Sequence, residues 1–350
     1  MKLRDRDAII TADGLIFRVY GYIHPPSAYF CDPEYASTSI FQSTNPRARR
    51  GKNKILYYKF FADEGLKFVL KEYPRYTVFH EPLMRFLVGV NEEDIKEARK
   101  PEIGLQMLIA TEPEDRLHMA IQNLIELVSA NSGLTSRDFG VFGSLLQGFY
   151  HPGLSDLDFI VYGRKNLRKL SEALEDLYRV DNSLQNEFDS MKAVKGKNWM
   201  FLNYSPEEYL WHQRRKMIYC LFKTKERVVK GEFEPVKKWE EICKEYDKDT
   251  RINNVGWIKV VAEITEDDDA PFIPSIYQIE VRDIIEGPKV DEIKRIFSYM
   301  EEFRMQAKRG EQVLVEGNLE KVVAENNVFH QITLTYGPRY YEQTLKVIKR

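Results

Sequence analysis

Gly143-Ser144-Leu145-Leu146-Gln147-Gly148, followed after a short loop by Ser155-Asp156-Leu157-Asp158-Phe159-Ile160-Val161-Tyr162, is the stretch whose reading decides the fold. Asp156 and Asp158 stand two apart at the head of an apolar run. On a strand their side chains project from one face, while Leu157, Phe159 and Val161 point the other way into a core. Two like charges on one face repel, so a cation between them is expected, and a hard ion such as Mg²⁺ suits oxygen ligands. Gly143 lets phosphate oxygens approach the backbone, and the Ser144 hydroxyl with the N–H groups of a helix starting there can hold phosphate. Gly148 closes that short helix.

The flanks supply the frame. Phe139 and Val141 suggest a strand leading into Gly143. Leu117, Ala120, Ile121, Leu124, Ile125 and Val128 fall on one face of a helix capped by Thr111-Glu112-Pro113-Glu114 and ended by Asn131-Ser132-Gly133. Leu167, Leu170, Ala173, Leu174, Leu177 and Tyr178 line a second helix. The order is strand, turn with short helix, strand, helix. Pro206 to Trp211 reads as helix, and Met217–Phe222 and Arg227–Val236 as strands.

In this context the run from Gly143 to Gly163 resembles the signature of the polymerase-β-like nucleotidyltransferase superfamily. Its wording is most similar to a group of uncharacterised archaeal nucleotidyltransferases with extra flanking domains. The motif match spans about residues 137–180. The resemblance implies two divalent ions, Mg²⁺ or Mn²⁺, between carboxylates and an NTP, with in-line displacement at the α-phosphorus. By that analogy Asp156 and Asp158 are metal ligands and catalytic carboxylates, and Gly143 and Ser144 hold the β- and γ-phosphates.

Active members normally carry a third carboxylate on a later strand. The strand Met217–Phe222 has no acid. The run Arg227–Val236 offers Glu232 and Glu234 on one face, Glu232 as a metal ligand and Glu234 as a catalytic carboxylate. Arg214, Arg215 and Lys216 precede these strands and are candidates to grip phosphate. The basic cluster Arg47–Lys54, with Tyr57, Tyr58 and Phe60 nearby, could track a nucleic-acid backbone or be an ordinary basic loop. His151 lies on the loop between the two halves of the motif.

The remaining chain bounds the answer. It has 350 residues, a net charge of −2 and three cysteines. That length suggests two or three domains. The near-neutral balance confines any nucleic-acid contact to a local patch. Sparse cysteines without a CxxC pair argue for a reducing compartment and against a disulfide framework or zinc site. No apolar run is long enough to cross a bilayer. A cytoplasmic, soluble protein is expected.

Ala8–Thr11 and Leu15–Tyr20 read as strands around a turn at Ala12-Asp13-Gly14. A polar stretch covers Asp32–Lys54, and Ile55–Phe61 reads as a strand. Asp63–Glu72 and Asn91–Arg99 read as short helices. Beyond Asn253, strands are expected at 257–264, 276–281, 313–317 and 329–333. Glu266–Asp269 reads as a hairpin tip, and a helix is expected between Val290 and Phe303.

The expected architecture is α+β: a nucleotidyltransferase-type mixed sheet with flanking helices at 111–250, an N-terminal α/β region at 1–110, and a C-terminal β-barrel-like, OB-like domain at 251–350. The expected function is metal-dependent transfer of a nucleoside monophosphate from an NTP to an acceptor hydroxyl. An RNA end, tRNA-like, is the favoured acceptor because of the extra domains. The competing readings are a non-catalytic nucleotide- or RNA-binding protein on a retired transferase fold, and a transferase acting on protein or a small molecule. The choice of NTP and the oligomeric state are open.

Overall fold

The computed structural model describes the chain apart from residues 53–54, 195–200, 244–245, 247–248, 326, 338 and 350. Asn53 and Lys54 of the basic cluster therefore lie outside the described residues. The chain forms two compact units. The first holds Met1–His80, Arg85–Gln185 and Cys220–Ile242, and the second Glu81–Met84, Asn186–Tyr219 and Cys243–Arg350.

The first unit opens with strands β1 (Ala8–Thr11), β2 (Leu15–Val19), β3 (Ala28–Ser37), β4 (Arg49–Lys52), β5 (Ile55–Lys59), β6 (Thr77–His80), β7 (Arg85–Asn91) and β8 (Ile95–Arg99). They form one sheet ordered β4-β5-β3-β2-β1-β8, with β7 beside β3 and β6 beside β7. Helix α1 (Glu64–Glu72) accompanies it, and α2 (Pro101–Ala110) follows β8 and packs at Gly104 against Val141 and Leu146. The polar stretch expected over 32–54 is in part strand β3. Pro33 sits there opposite Phe17, at a register shift where its missing N–H is tolerated. The helix expected over 91–99 is instead a single tight turn, Glu92–Asp94, followed by β8. Asn91 makes no side-chain cap bond, and β8 finds an antiparallel partner in β1.

The second sheet has β9 (Phe139–Val141), β10 (Leu157–Tyr162), β11 (Leu184–Asn186), β12 (Tyr219–Lys223) and β13 (Val228–Val236), in the order β11-β12-β13-β10-β9. Strand β10 runs parallel to β13 and antiparallel to β9. Helix α3 (Arg116–Ser132) buries the six apolar residues expected of it, and α5 (Arg164–Val180) buries Leu167, Leu170, Ala173, Leu174 and Leu177. The α3 cap is not Thr111-Glu112-Pro113-Glu114. Thr111 ends α2, and the Asp115 carboxylate caps α3 by accepting from the N–H groups of Leu117 and His118, at 2.8 and 3.0 Å. Phe139, Phe159 and Phe233 stack beneath this sheet, with centroids of neighbours 6.0 and 5.1 Å apart. Leu124 of α3 reaches the same face at Gly231. That leaves the opposite face for the carboxylates.

The second unit contains the helix α6 (Pro206–Arg214), capped by a reciprocal Ser205–Glu208 pair. Its sheet is built from β14 (Arg251–Asp269), β15 (Ser275–Glu286), β16 (Ile293–Ser298), β17 (Gln312–Ala324), β18 (Asn327–Leu334) and β19 (Thr344–Lys349). Pairing runs β14-β15-β16-β18-β17, β14 also pairs with β17, and the β16–β18 pair alone is parallel. This strand-rich connectivity is of the OB-like kind. Glu266–Asp269 belong to β14 rather than to a hairpin tip. The helix expected over 290–303 is strand β16 and a one-turn helix at Glu301–Phe303. Ile293, Ile296, Phe297 and Met300 mimic helical spacing. Ladders to β15 on one side and β18 on the other hold the segment extended.

Candidate active site

The site is set by register. Strands β10 and β13 pair Asp158 with Glu232 and Ile160 with Glu234. Paired residues share a face, as do residues two apart along a strand. Asp158, Glu232 and Glu234 therefore lie on the face opposite the phenylalanine stack. Asp156 is exposed just before β10, and Asp158 and Glu232 are half-buried.

The Gly143 turn is locked to the same strand. The Phe142 N–H donates to the Asp158 carbonyl at 3.1 Å. Helix α4 (Gly143–Gln147) then begins with Gly143 at φ +58° and ends at Gly148 at φ +71°. A Cβ on Gly143 would stand 3.2 Å from Asp158 Oδ2, so glycine makes room for the carboxylate. Ser144 is buried, its Oγ 3.5 Å from that of Ser155.

The loop that delivers Asp156 is braced. The His151 N–H donates to Ser155 Oγ at 2.9 Å, and the Gly153 N–H donates to His151 Nδ1 at 3.0 Å. Arg227 brackets the loop, donating to the Gly153 carbonyl at 2.5 Å and the Ser155 carbonyl at 3.1 Å. His151 thus holds the loop's own backbone.

Charge accumulates here. Burial pushes the Asp158 carboxyl up to about 7, Lys59 opposes the rise, and Asp156, Glu234 and Glu34 add to it. Carboxylates gathered on one face have the oxygen donor chemistry that suits a hard divalent ion. Among the described residues no three His, Cys, Asp or Glu side chains converge closely enough to cage an ion. The fit rests on the donor set and its register.

The two glutamates differ. Glu234 is buried and ion-paired with Arg6, itself fully buried. Arg6 has φ +71°, stacks over Phe142 at 5.4 Å and lies 3.8 Å from Asp5. Glu232 stays level with Asp158 and half-buried. Arg214, Arg215 and Lys216 belong to the second unit, where each has a partner. Arg214 pairs with Asp189 and Arg215 with Glu311, each at 2.7 Å, and the buried Lys216 ammonium donates to the Glu302 carbonyl at 2.7 Å.

Sequence reasoning missed the first sheet's share. Arg6, Glu34, Tyr35 and Lys59 all act on the Asp158 side of the site. Nothing in the local pattern of β3 or β5 marks these residues, because a long-range packing choice brings them there.

A helix-flanked sheet, a Gly-Ser turn and an Asp-x-Asp at the head of β10 make an arrangement similar to that of polymerase-β-like nucleotidyltransferase domains. Residues 121–218 match the family model described as nucleotidyltransferase domain. Glu232 and Glu234 lie beyond the matched residues. The chain is also similar to the uncharacterized protein MJ1086 of Methanocaldococcus jannaschii, 28% identical over 342 residues that cover 92% of each chain. No solved structure matches the chain. Among the described residues no helix is long and apolar enough to cross a membrane.

Proposed function

We propose that this protein transfers a nucleoside monophosphate from an NTP to an acceptor hydroxyl, using Mg²⁺ or Mn²⁺. The carrying observation is that Asp158 and Glu232 are register partners on one face, with Asp156 just ahead of Asp158 and the Gly143–Ser144 turn bonded to the same strand through Phe142. Asp156, Asp158 and Glu232 would hold the metal. When bound, it would supply charge neutralisation for the triphosphate and for the pyrophosphate that leaves as the acceptor oxygen bonds to the α-phosphorus. Gly143 and Ser144 orient the β- and γ-phosphates. Glu234 acts at one remove, fixing β13 to Arg6. An RNA end is the acceptor this reading favours. Its support is the OB-like second unit, a connectivity that suits oligonucleotides, and that support is fold analogy.

The test is incubation of the protein with each labelled NTP, Mg²⁺ or Mn²⁺, and total RNA or cell protein. Transfer of label to RNA that disappears in Asp156→Ala/Asp158→Ala supports the reading, and label on protein reassigns the acceptor. Binding of NTP without transfer to anything would favour a retired, binding-only domain. The observation behind that second reading is that no three acidic, His or Cys side chains among the described residues close on one point.

A further inference from the structure

One sheet face in the first unit carries two cations and two tyrosines close to the Gly143 turn. Register places Tyr35 opposite Lys59, Ser37 opposite Tyr57, and Arg50 opposite Tyr57. Arg50, Tyr57, Lys59 and Tyr35 therefore share a face across β4, β5 and β3. Ile16 pairs with Tyr35 and Ile10 with Ile16, which extends the face into β2 and β1. Ile10, Ile16 and Tyr35 are buried there against Phe149, just beyond helix α4.

This face meets the Gly143 turn. Tyr35 packs edge-on to Phe149 at 5.0 Å, and Tyr57 stacks on Phe149 at 5.3 Å. The Tyr35 hydroxyl lies 3.7 Å from where a Cβ on Gly143 would stand. Tyr35 is fully buried and completes a core, whereas Tyr57, Lys59 and Arg50 are half-buried. Lys59 also sets its positive charge against Asp158. Arg50 turns one guanidinium nitrogen to the carbonyls of Arg47 and Arg49, at 2.5 and 3.0 Å. A partly open aromatic ring flanked by two cations, next to the Gly143 turn, complements the chemistry of a nucleotide: a flat base and a chain of negative oxygens.

We infer that the Arg50–Tyr57–Lys59 face is the subsite for the donor nucleoside triphosphate, with Tyr57 stacking on the base and Lys59 and Arg50 holding phosphate oxygens. The inference rests on the nucleotidyltransferase reading and deepens it. Because a stack accepts every base, the subsite discriminates poorly among bases.

The test is equilibrium binding of ATP, GTP, CTP and UTP to the full chain with Mg²⁺, by titration calorimetry. Tyr57→Ser weakens all four roughly tenfold, while Tyr57→Phe, which keeps the ring, binds as wild type. Lys59→Gln weakens the triphosphates roughly tenfold and the nucleosides far less, and Lys59→Arg restores binding. Lys59→Gln changes a half-exposed side chain, so it reads the subsite even if Tyr57→Ser fails to fold. Wild-type binding that neither Tyr57→Ser nor Lys59→Gln alters overturns the subsite alone. A wild type that binds none of the four overturns the nucleotidyltransferase reading and the subsite together.

Discussion

Asp158 on β10 and Glu232 on β13 are register partners in a parallel pair, so their carboxylates leave the same face at the same level. Glu234, two residues further, shares the face but is held by Arg6. The two glutamates thus sit in different surroundings.

Glu232→Gln and Glu234→Gln therefore separate. The first removes a proposed metal ligand from a half-buried site. Nucleotidyl transfer is expected to fall by at least about a hundredfold, since even outer-shell groups of metal sites cost 10–100-fold. Its melting temperature should stay near wild type. Glu234→Gln strips a partner from the buried Arg6 and is expected to cost about 3–5 kcal/mol of stability. Thermal melts and label transfer on both variants decide it; equal melts with equal activity losses would refute the division.

Gly143→Ala tests the turn. Alanine at φ +58° carries a left-handed penalty of about 1–2 kcal/mol. Its methyl would also press on Asp158 Oδ2. A lower melting temperature together with a lower transfer rate is expected. A variant with wild-type values of both would mean that the turn tolerates a side chain.

Arg227→Ala tests how Asp156 is positioned. Arg227 holds the Gly153 and Ser155 carbonyls just ahead of Asp156 and does not touch the reacting groups. Its loss should lower kcat about tenfold to a hundredfold through misplacement, with Arg227→Lys recovering part of it. Since the role is positional, the weight of the effect should fall on kcat rather than on the KM for NTP.

His212 gives a pH signature in the second unit. It is buried, its Nδ1–H donates to the Glu208 carbonyl at 2.7 Å, and its Nε2 accepts from the Val347 N–H at 3.1 Å. Both nitrogens are thus satisfied in the neutral form. Burial lowers its pKa from 6.5 to about 4, aided by Arg215 and Lys216 and resisted by the bond to Glu208. The folded value lies below the unfolded one, so this stability is present above about pH 6.5 and is lost as pH falls towards 4, about 3 kcal/mol in all. His24 and His80 are lowered to about 4 as well and add in the same window. The test is the difference between wild type and His212→Gln: unfolding measured from pH 7 to 4 should be less pH-dependent in the variant. Parallel curves would refute it.

Much was legible in the local pattern. The two amphipathic helices, the Asp-x-Asp strand and the Gly-Ser turn follow from periodicity and turn chemistry, which act over a few residues. The errors fell where longer contacts decide. Residues 293–300 carry a helix-like spacing, yet two flanking ladders make a strand. Thr111 opens a capping pattern on paper and instead ends α2.

The sequence by itself determined that Asp156 and Asp158 fall two apart at the head of a strand beside a Gly-Ser turn, because alternation along extended chain is a property of the backbone. It could not choose between Glu232 and Glu234, which share a strand face equally. The tertiary structure separated them by placing Arg6 against one and Asp158 beside the other, and it brought Tyr57 and Lys59 to the Gly143 turn. Those placements depend on how one sheet packs on another across most of the first unit, and no local spacing encodes that.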